Sequence, residues 1–166
     1  EKRLAARRKP APPEENQTEA RWHALIENSA EAVSMLAADG SILFVSPSAA
    51  RLWGVPREEL QRTNFVDFLH PDDLAKTLEL FQKILQEPRQ PVTGQVRCMD
   101  NHGGWMWVEA VATNLLDNPA VGAIVVNYRD ITERKQAEEA LRESEARYRT
   151  LAEASQDVIF IIGGHG

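Results

Sequence analysis

One cysteine, Cys98, stands among the 166 residues. A disulfide within the chain needs a second thiol and a thiolate zinc cluster needs more, so both are excluded. Long apolar runs are also missing. The most apolar stretches, Val158–Ile162 and Ala120–Val126, fall far short of the roughly 20 residues that a membrane span requires. No apolar stretch follows the leading bases, so no secretory signal is read there. The compartment therefore reads as cytoplasmic, with a membrane anchor elsewhere in a longer chain left open. A basic stripe is absent too. Glu1–Lys9 is rich in bases, yet the net charge is −6, so the remaining body is acidic. Such a body argues against nucleic acid as a partner, because phosphate binding needs clustered Lys and Arg. No P-loop, kinase phosphate loop or catalytic metal cluster occurs, and the chain reads as a non-enzyme. What is present suits a folded domain, since 43% apolar and 27% charged residues supply both a core and a solvated surface.

Pro and Gly divide the chain. Pro10-Ala11-Pro12-Pro13 cannot continue a helix, so 1–18 reads as a basic, Pro-rich linker. A short helix is expected from Thr18 to about Asn28, with Trp22, Leu25 and Ile26 on one face. Ala32–Ala38 and Ser41–Ser46 read as strands around the turn Asp39-Gly40. Short helical pieces follow at Pro47–Trp53, Pro56–Leu60 and Asn64–Leu69. His70-Pro71-Asp72-Asp73 opens the main helix, with Pro at its first position and two Asp at the positive end of the dipole. Leu74, Leu78, Phe81 and Leu85 recur at helical spacing and are expected as its buried stripe. Val92–Met99, Trp105–Leu116 and Ala120–Tyr128 read as three strands joined by tight turns. Hairpins at both ends with helices between them imply an α+β fold, an antiparallel sheet carrying its helices on one face.

Glu133–Arg149 has no Gly or Pro. Glu138/Arg142, Glu143/Arg147 and Glu145/Arg149 are spaced as i,i+4 pairs on a helix. Ala137, Leu141, Ser144, Tyr148, Leu151 and Ser155 alternate at spacings of four and three, a weak coiled-coil seam. With Trp22 and Leu25, these residues are the expected dimer contacts, and a homodimer is the expected assembly. An internal repeat is also present. Arg147–Gly166 matches Arg21–Gly40 at Arg, Leu, Glu, Ser and Gly, with Tyr148 in place of Trp22 and Asp157 in place of Glu31. The repeat is read as the opening of a second domain in a chain cut from a tandem array, with Asp157–Ile162 as its first strand.

Several short motifs fall in a recognisable order: the leading helix with Ser29, Asp39-Gly40, Ser46-Pro47-Ser48-Ala49-Ala50, Gly54–Leu60, Phe68-Leu69-His70-Pro71-Asp72-Asp73, Trp107-Val108-Glu109, and Tyr128–Lys135. Together they resemble a PAS domain with its trailing PAC segment. The resemblance implies a five-stranded antiparallel sheet over 19–131, a signalling linker helix over 132–154, and the start of a second PAS domain at 155–166. It also implies a role in sensing a small molecule, or in relaying a signal, to an output domain such as a histidine kinase or a cyclic-di-GMP enzyme. A ligand-free dimerisation spacer is the rival reading, and non-covalent flavin redox sensing a further one.

The resemblance narrows the chemistry. Covalent flavin photosensors of the family carry Asn-Cys-Arg ahead of the long helix, whereas this chain has Asn64-Phe65-Val66 there, which argues against an adduct. Haem sensors carry a His within that helix, and none lies between Asp72 and Glu87, which argues against haem. The identity of any ligand stays open. A pocket between helices and sheet is expected to draw on Leu36, Phe44, Trp53, Phe65, Phe68, Leu78, Phe81, Trp107 and Val126, although aromatic spacing of this kind is also that of a plain core. Ser46 stands where relatives often have Asn. Asp130-Ile131-Thr132 is implied to couple the last strand to the linker helix, with Thr132 as a helix cap and Arg97 or Arg129 as the charged partner of Asp130.

Overall fold

The computed structural model describes residues 24–26, 29 and 31–162, with side chains described as far as residue 154. Trp22 and the basic leading segment lie outside the described residues. Five strands, β1 (Ala32–Leu36), β2 (Ile42–Val45), β3 (Pro91–Met99), β4 (Trp105–Leu115) and β5 (Ala123–Asp130), form one antiparallel sheet in the order β2-β1-β5-β4-β3. Between β2 and β3 the chain makes α1 (Pro47–Trp53), α2 (Arg57–Leu60), a 3-10 turn at Phe65–Phe68 and α3 (Pro71–Gln86). After β5 it continues as α4 (Thr132–Ile162). The α+β fold expected from the sequence is the one observed.

Local chemistry explains the short elements. The β1–β2 turn closes with the Ser41 amide donating to Asp39 Oδ1 at 2.9 Å, and Gly40 adopts φ +85°. A side chain at Gly40 would be strained and would also meet the Phe65 ring at 2.7 Å, so the turn needs glycine twice over. Pairing then slips by one residue, because Met35 faces Phe44 while Leu36 faces Ile42. The bulge leaves Leu43 unpaired and 51% exposed, and it puts Ile42 and Val45 on the same face of the sheet.

Ser46 is wholly buried and caps α1. Its Oγ accepts from the amides of Ala49 (3.1 Å) and Val33 (3.0 Å), so one hydroxyl both starts the helix and ties it to β1. Ser46 thus acts as a brace between β1 and α1.

His70 caps α3, its Nδ1 accepting from the Asp72 amide at 3.2 Å. The expected stripe on α3 is rotated by about one residue. Leu74 and Leu78 are 37% and 40% exposed, and the inward face is Thr77, Leu80, Phe81 and Ile84. The cause lies in the first turn. Arg97 on β3 donates to Asp73 three times: its backbone amide (2.8 Å) and Nε (3.0 Å) to Oδ2, and Nη2 (2.8 Å) to Oδ1. This fork turns Asp73 toward the sheet, and residues four, seven and eleven further on follow it. Asn114, buried on β4, closes the other end through its Nδ2, which donates to the carbonyls of Ile84 (3.1 Å) and Leu85 (3.2 Å).

Helix α4 departs from expectation in two ways. The segment Asp157–Ile162, read as a strand, continues the helix to Ile162. A strand needs a neighbour for its amides and carbonyls, whereas a helix satisfies them within the segment. The three i,i+4 pairs also do not form among the described residues. Arg142 instead reaches back to Glu139 at 2.7 Å, while Arg134 and Lys135 flank Glu138 at 4.0 and 3.9 Å. These are exposed pairs worth a few tenths of a kcal/mol, so their exchange leaves the helix intact.

Candidate functional site

A cavity of about 150 Å³ lies between α1–α3 and the inner face of the sheet. Of the nine residues assigned to a pocket, Leu36, Trp53, Phe65, Phe68, Phe81 and Val126 line this cavity. The other three residues assigned to it do not. Leu78 falls on the outer face of α3 for the reason given above. Phe44 sits on the opposite face of the sheet because of the β1–β2 bulge, with the Arg57 guanidinium 5.5 Å from its ring. Trp107 is excluded by strand parity: Val108, Ala110 and Ala112 point inward from β4, so Trp107 and Glu109 point outward.

Among the described residues the lining is almost wholly apolar, with no Lys, Arg, His, Asp or Glu in it. Cys98 lines it, and burial pushes its thiol up to about 12, which keeps it protonated and inert. Polar atoms gather at one wall. The Trp53 indole N–H donates to Tyr128 Oη at 2.8 Å, and Tyr128 Oη shares a hydrogen with Ser34 Oγ at 2.9 Å. Burial raises the Tyr128 hydroxyl above its ordinary value, so it stays neutral. Ser34 and Tyr128 were missed in the sequence reading. The signal was available, since Tyr128 and Val126 are two residues apart on one strand and must share a face.

The outer face of β4 grips the exit helix. The Ile131 amide donates to the Trp107 carbonyl at 2.8 Å, and the Trp107 amide donates to Thr132 Oγ1 at 2.9 Å. The Thr132 hydroxyl therefore serves β4 instead of the first turn of α4. The Arg97 guanidinium and Lys135 ammonium lie 5.7 and 5.1 Å from the Trp107 ring. Ile131 is buried, and its carbonyl accepts from the Lys135 amide at 2.9 Å, the first bond of the helix.

Asp130 has a different partner from those expected. Arg97 is held by Asp73 and Arg129 by Glu109, while Asp130 Oδ1 accepts from the Thr132 amide at 2.7 Å. The charge that ties strand to helix is carried by Glu109. Arg129 binds its Oε2 at 2.6 and 3.0 Å, Gln95 donates to Oε1 at 2.8 Å, and Arg134 on α4 reaches Oε1 at 3.0 Å. Arg129 first, then Gln95 and Arg134, hold the Glu109 carboxyl down to about 2. Glu109 thus joins β3, β5 and α4 through a single side chain.

The residues of the expected seam lie along α4. Leu141, Tyr148 and Leu151 are 61%, 72% and 60% exposed, and Ala137 and Ser144 continue the row. Leu25 is 72% exposed ahead of the sheet. Among the described residues no helix is long and apolar enough to cross a membrane, and no group of His, Cys, Asp and Glu is placed to hold a metal ion.

A family model for the PAS fold matches residues 42–125, the stretch from β2 into β5 that supplies most of the cavity lining. The chain belongs to the PAS family. A crystal structure of a PAS domain from a two-component sensor histidine kinase superposes with a TM-score of 0.57 and 25% identity, covering 70% of this chain and 99% of that one. The PAS domain of a protein from Colwellia psychrerythraea gives a TM-score of 0.62 at 16% identity over 70% of this chain and 98% of that one, which speaks to the fold alone. The two-component sensor PprA of Pseudomonas aeruginosa is 32% identical over 117 residues, 70% of this chain. The sensor histidine kinase TmoS of Ectopseudomonas mendocina is 26% identical over 129 residues, 76% of this chain. This PAS chain spans only 12% of PprA and 13% of TmoS. It resembles the signal-sensing modules of larger sensor proteins.

Proposed function

We propose that this PAS chain is a non-catalytic sensory and relay module. It binds a small molecule in the cavity and passes the occupied state through β4 into α4, toward an output domain elsewhere in a longer protein. The observation that carries this reading is the double duty of β4. Val108 and Ala110 face the cavity, while Trp107 and Glu109, their neighbours on the same strand, hold the first turn of α4. Pressure on Val108 or Ala110 that shifts the β4 backbone also shifts the Trp107 amide and the Glu109 carboxylate, and with them the start of α4. Tyr128–Lys135, the PAC-like segment, supplies the junction. PprA and TmoS, named as a two-component sensor and a sensor histidine kinase, favour a histidine kinase over a cyclic-di-GMP enzyme as the output.

The cavity volume argues about ligand size. An apolar cavity near 150 Å³ admits a molecule of about one aromatic ring, while drug-sized ligands need about 300 Å³ or more. The three fused rings of a flavin exceed it, so flavin redox sensing is the weaker alternative. The exposed row Leu141, Tyr148 and Leu151 supports a homodimer through α4. The repeat at 147–166 supports a second PAS unit beginning there, its helical part continuous with α4. A cytoplasmic setting follows from the same reading.

Benzene is the probe that tests the relay. Its binding is expected to change amide exchange at Trp107, Thr132 and Lys135, none of which lines the cavity. Benzene bound with exchange at these amides unchanged would leave α4 as a dimerisation spacer and remove the relay.

A further inference from the structure

The polar wall of the cavity has one hydrogen too many. Trp53, Tyr128 and Ser34 each bring one polar hydrogen: indole N–H, phenol O–H and alcohol O–H. Between them they make two hydrogen bonds, Trp53 to Tyr128 and Tyr128 with Ser34, and these side chains have no further partner among the described residues. If Ser34 donates to Tyr128, the Tyr128 hydrogen is left over. If Tyr128 donates to Ser34, the Ser34 hydrogen is left over. Either way one hydroxyl hydrogen has no acceptor among the described residues, and both oxygens belong to side chains that line the cavity. A buried donor without an acceptor is costly in a setting this apolar.

We infer that the cavity takes a neutral molecule of about one ring's size that carries a single acceptor oxygen, a hydroxyl or carbonyl, and places it against Ser34 and Tyr128. This rests on the cavity being the ligand site proposed above, and it names the class of ligand. With no Lys, Arg or His among the described lining residues, the charge of a carboxylate or phosphate would be stranded, which argues against both. A ring without an oxygen fits the volume but leaves the hydroxyl hydrogen unmet. Phenol meets both conditions, its oxygen accepting the spare hydrogen and its own hydrogen returning to a free lone pair on Tyr128 Oη or Ser34 Oγ, and benzoate, with nearly the same ring, fails on charge.

The test is a titration of the 166-residue chain with benzene, phenol and sodium benzoate, read by NMR at the indole N–H of Trp53, one of four Trp. A Trp53→Phe spectrum assigns that resonance. A purely apolar cavity binds phenol tenfold or more weakly than benzene, because the phenol hydroxyl loses its water and gains nothing. Here phenol is expected to bind as tightly as benzene or more tightly, to be displaced by benzene, and to shift the Trp53 indole resonance. Benzoate is expected not to bind. Benzene binding more tightly than phenol would overturn the inference and leave the cavity as a ligand site. Benzoate binding more tightly than phenol would overturn it as well. Failure of both benzene and phenol to bind would overturn the ligand-site reading itself.

Discussion

Asp73 fixes which face of α3 borders the cavity, and its carboxylate is open to a quantitative test. Three donor groups of Arg97 hold it, and the carboxyl is depressed from 3.8 to about 2, first by the Arg97 side-chain hydrogen bonds. Burial opposes the shift, and the Arg97 backbone amide and positive charge add to it. The fall from 3.8 to about 2 is worth about 2–3 kcal/mol at about 1.4 kcal/mol per pKa unit. The Asp73 side chain is 19% exposed, so solvent screening brings the net figure down to about 1–2 kcal/mol. The sign follows from proton linkage. The folded value lies below the unfolded one, so the stabilisation is complete above about pH 4. It declines as the pH falls through about 2, where the native carboxylate takes up its proton.

The perturbation is Asp73→Asn, which keeps the shape and one acceptor but removes the charge. Urea unfolding of both proteins is compared at pH 7, 4, 3 and 2. Wild type is expected to be more stable by about 1–2 kcal/mol at pH 7 and 4, with the difference shrinking to a small fraction at pH 2. Glu109 is also depressed to about 2, but it is present in both proteins and cancels in the difference. In an Arg97→Gln background the same substitution should cost much less, because the two residues share one interaction. A stability gap between wild type and the Asp73→Asn variant that stays constant from pH 7 to pH 2 would refute this reasoning.

Other sites give independent tests. Gly40→Ala, which forces a β-carbon onto the Phe65 ring at a positive φ, is expected to cost more than about 2 kcal/mol in thermal or urea unfolding. Thr132→Val removes the acceptor of the Trp107 amide and should speed exchange at that amide about fivefold, the equivalent of about 1 kcal/mol. An unchanged Trp107 amide would mean that the hydroxyl does not hold β4. Glu109→Gln should loosen the first turn of α4, read as faster exchange at Lys135, with the wild-type protection itself weakening in high salt. Cys98, buried and raised to about 12, should resist iodoacetamide at pH 8 until the protein unfolds.

The sheet was legible in the residues because its turns carry their own chemistry. Asp39-Gly40 and the Pro–Asp–Asp start of α3 specify their local conformations from within a few positions. The cavity was only partly legible, and each error has a physical origin. Counting aromatics placed Phe44 and Trp107 inside. Trp107 could have been assigned from the alternation of β4, but Phe44 could not, since its side depends on a bulge set by pairing with β1. On α3, apolar residues at 74, 78, 80, 81, 84 and 85 offer two overlapping stripes. The choice between them is made by Arg97, 24 positions away in sequence, and no local period contains it. The β-branched run Val158–Ile162 has the composition of a strand, yet composition does not supply a neighbouring edge, and without one the helix is the conformation that satisfies its backbone. Local signals decide turns and caps; which face a residue presents is decided by partners far along the chain. The cavity and the helix junction are therefore read together from one strand, because the alternation that sends Val108 inward is the same alternation that leaves the Trp107 ring and the Glu109 carboxylate free to hold Lys135 and Arg134 of α4.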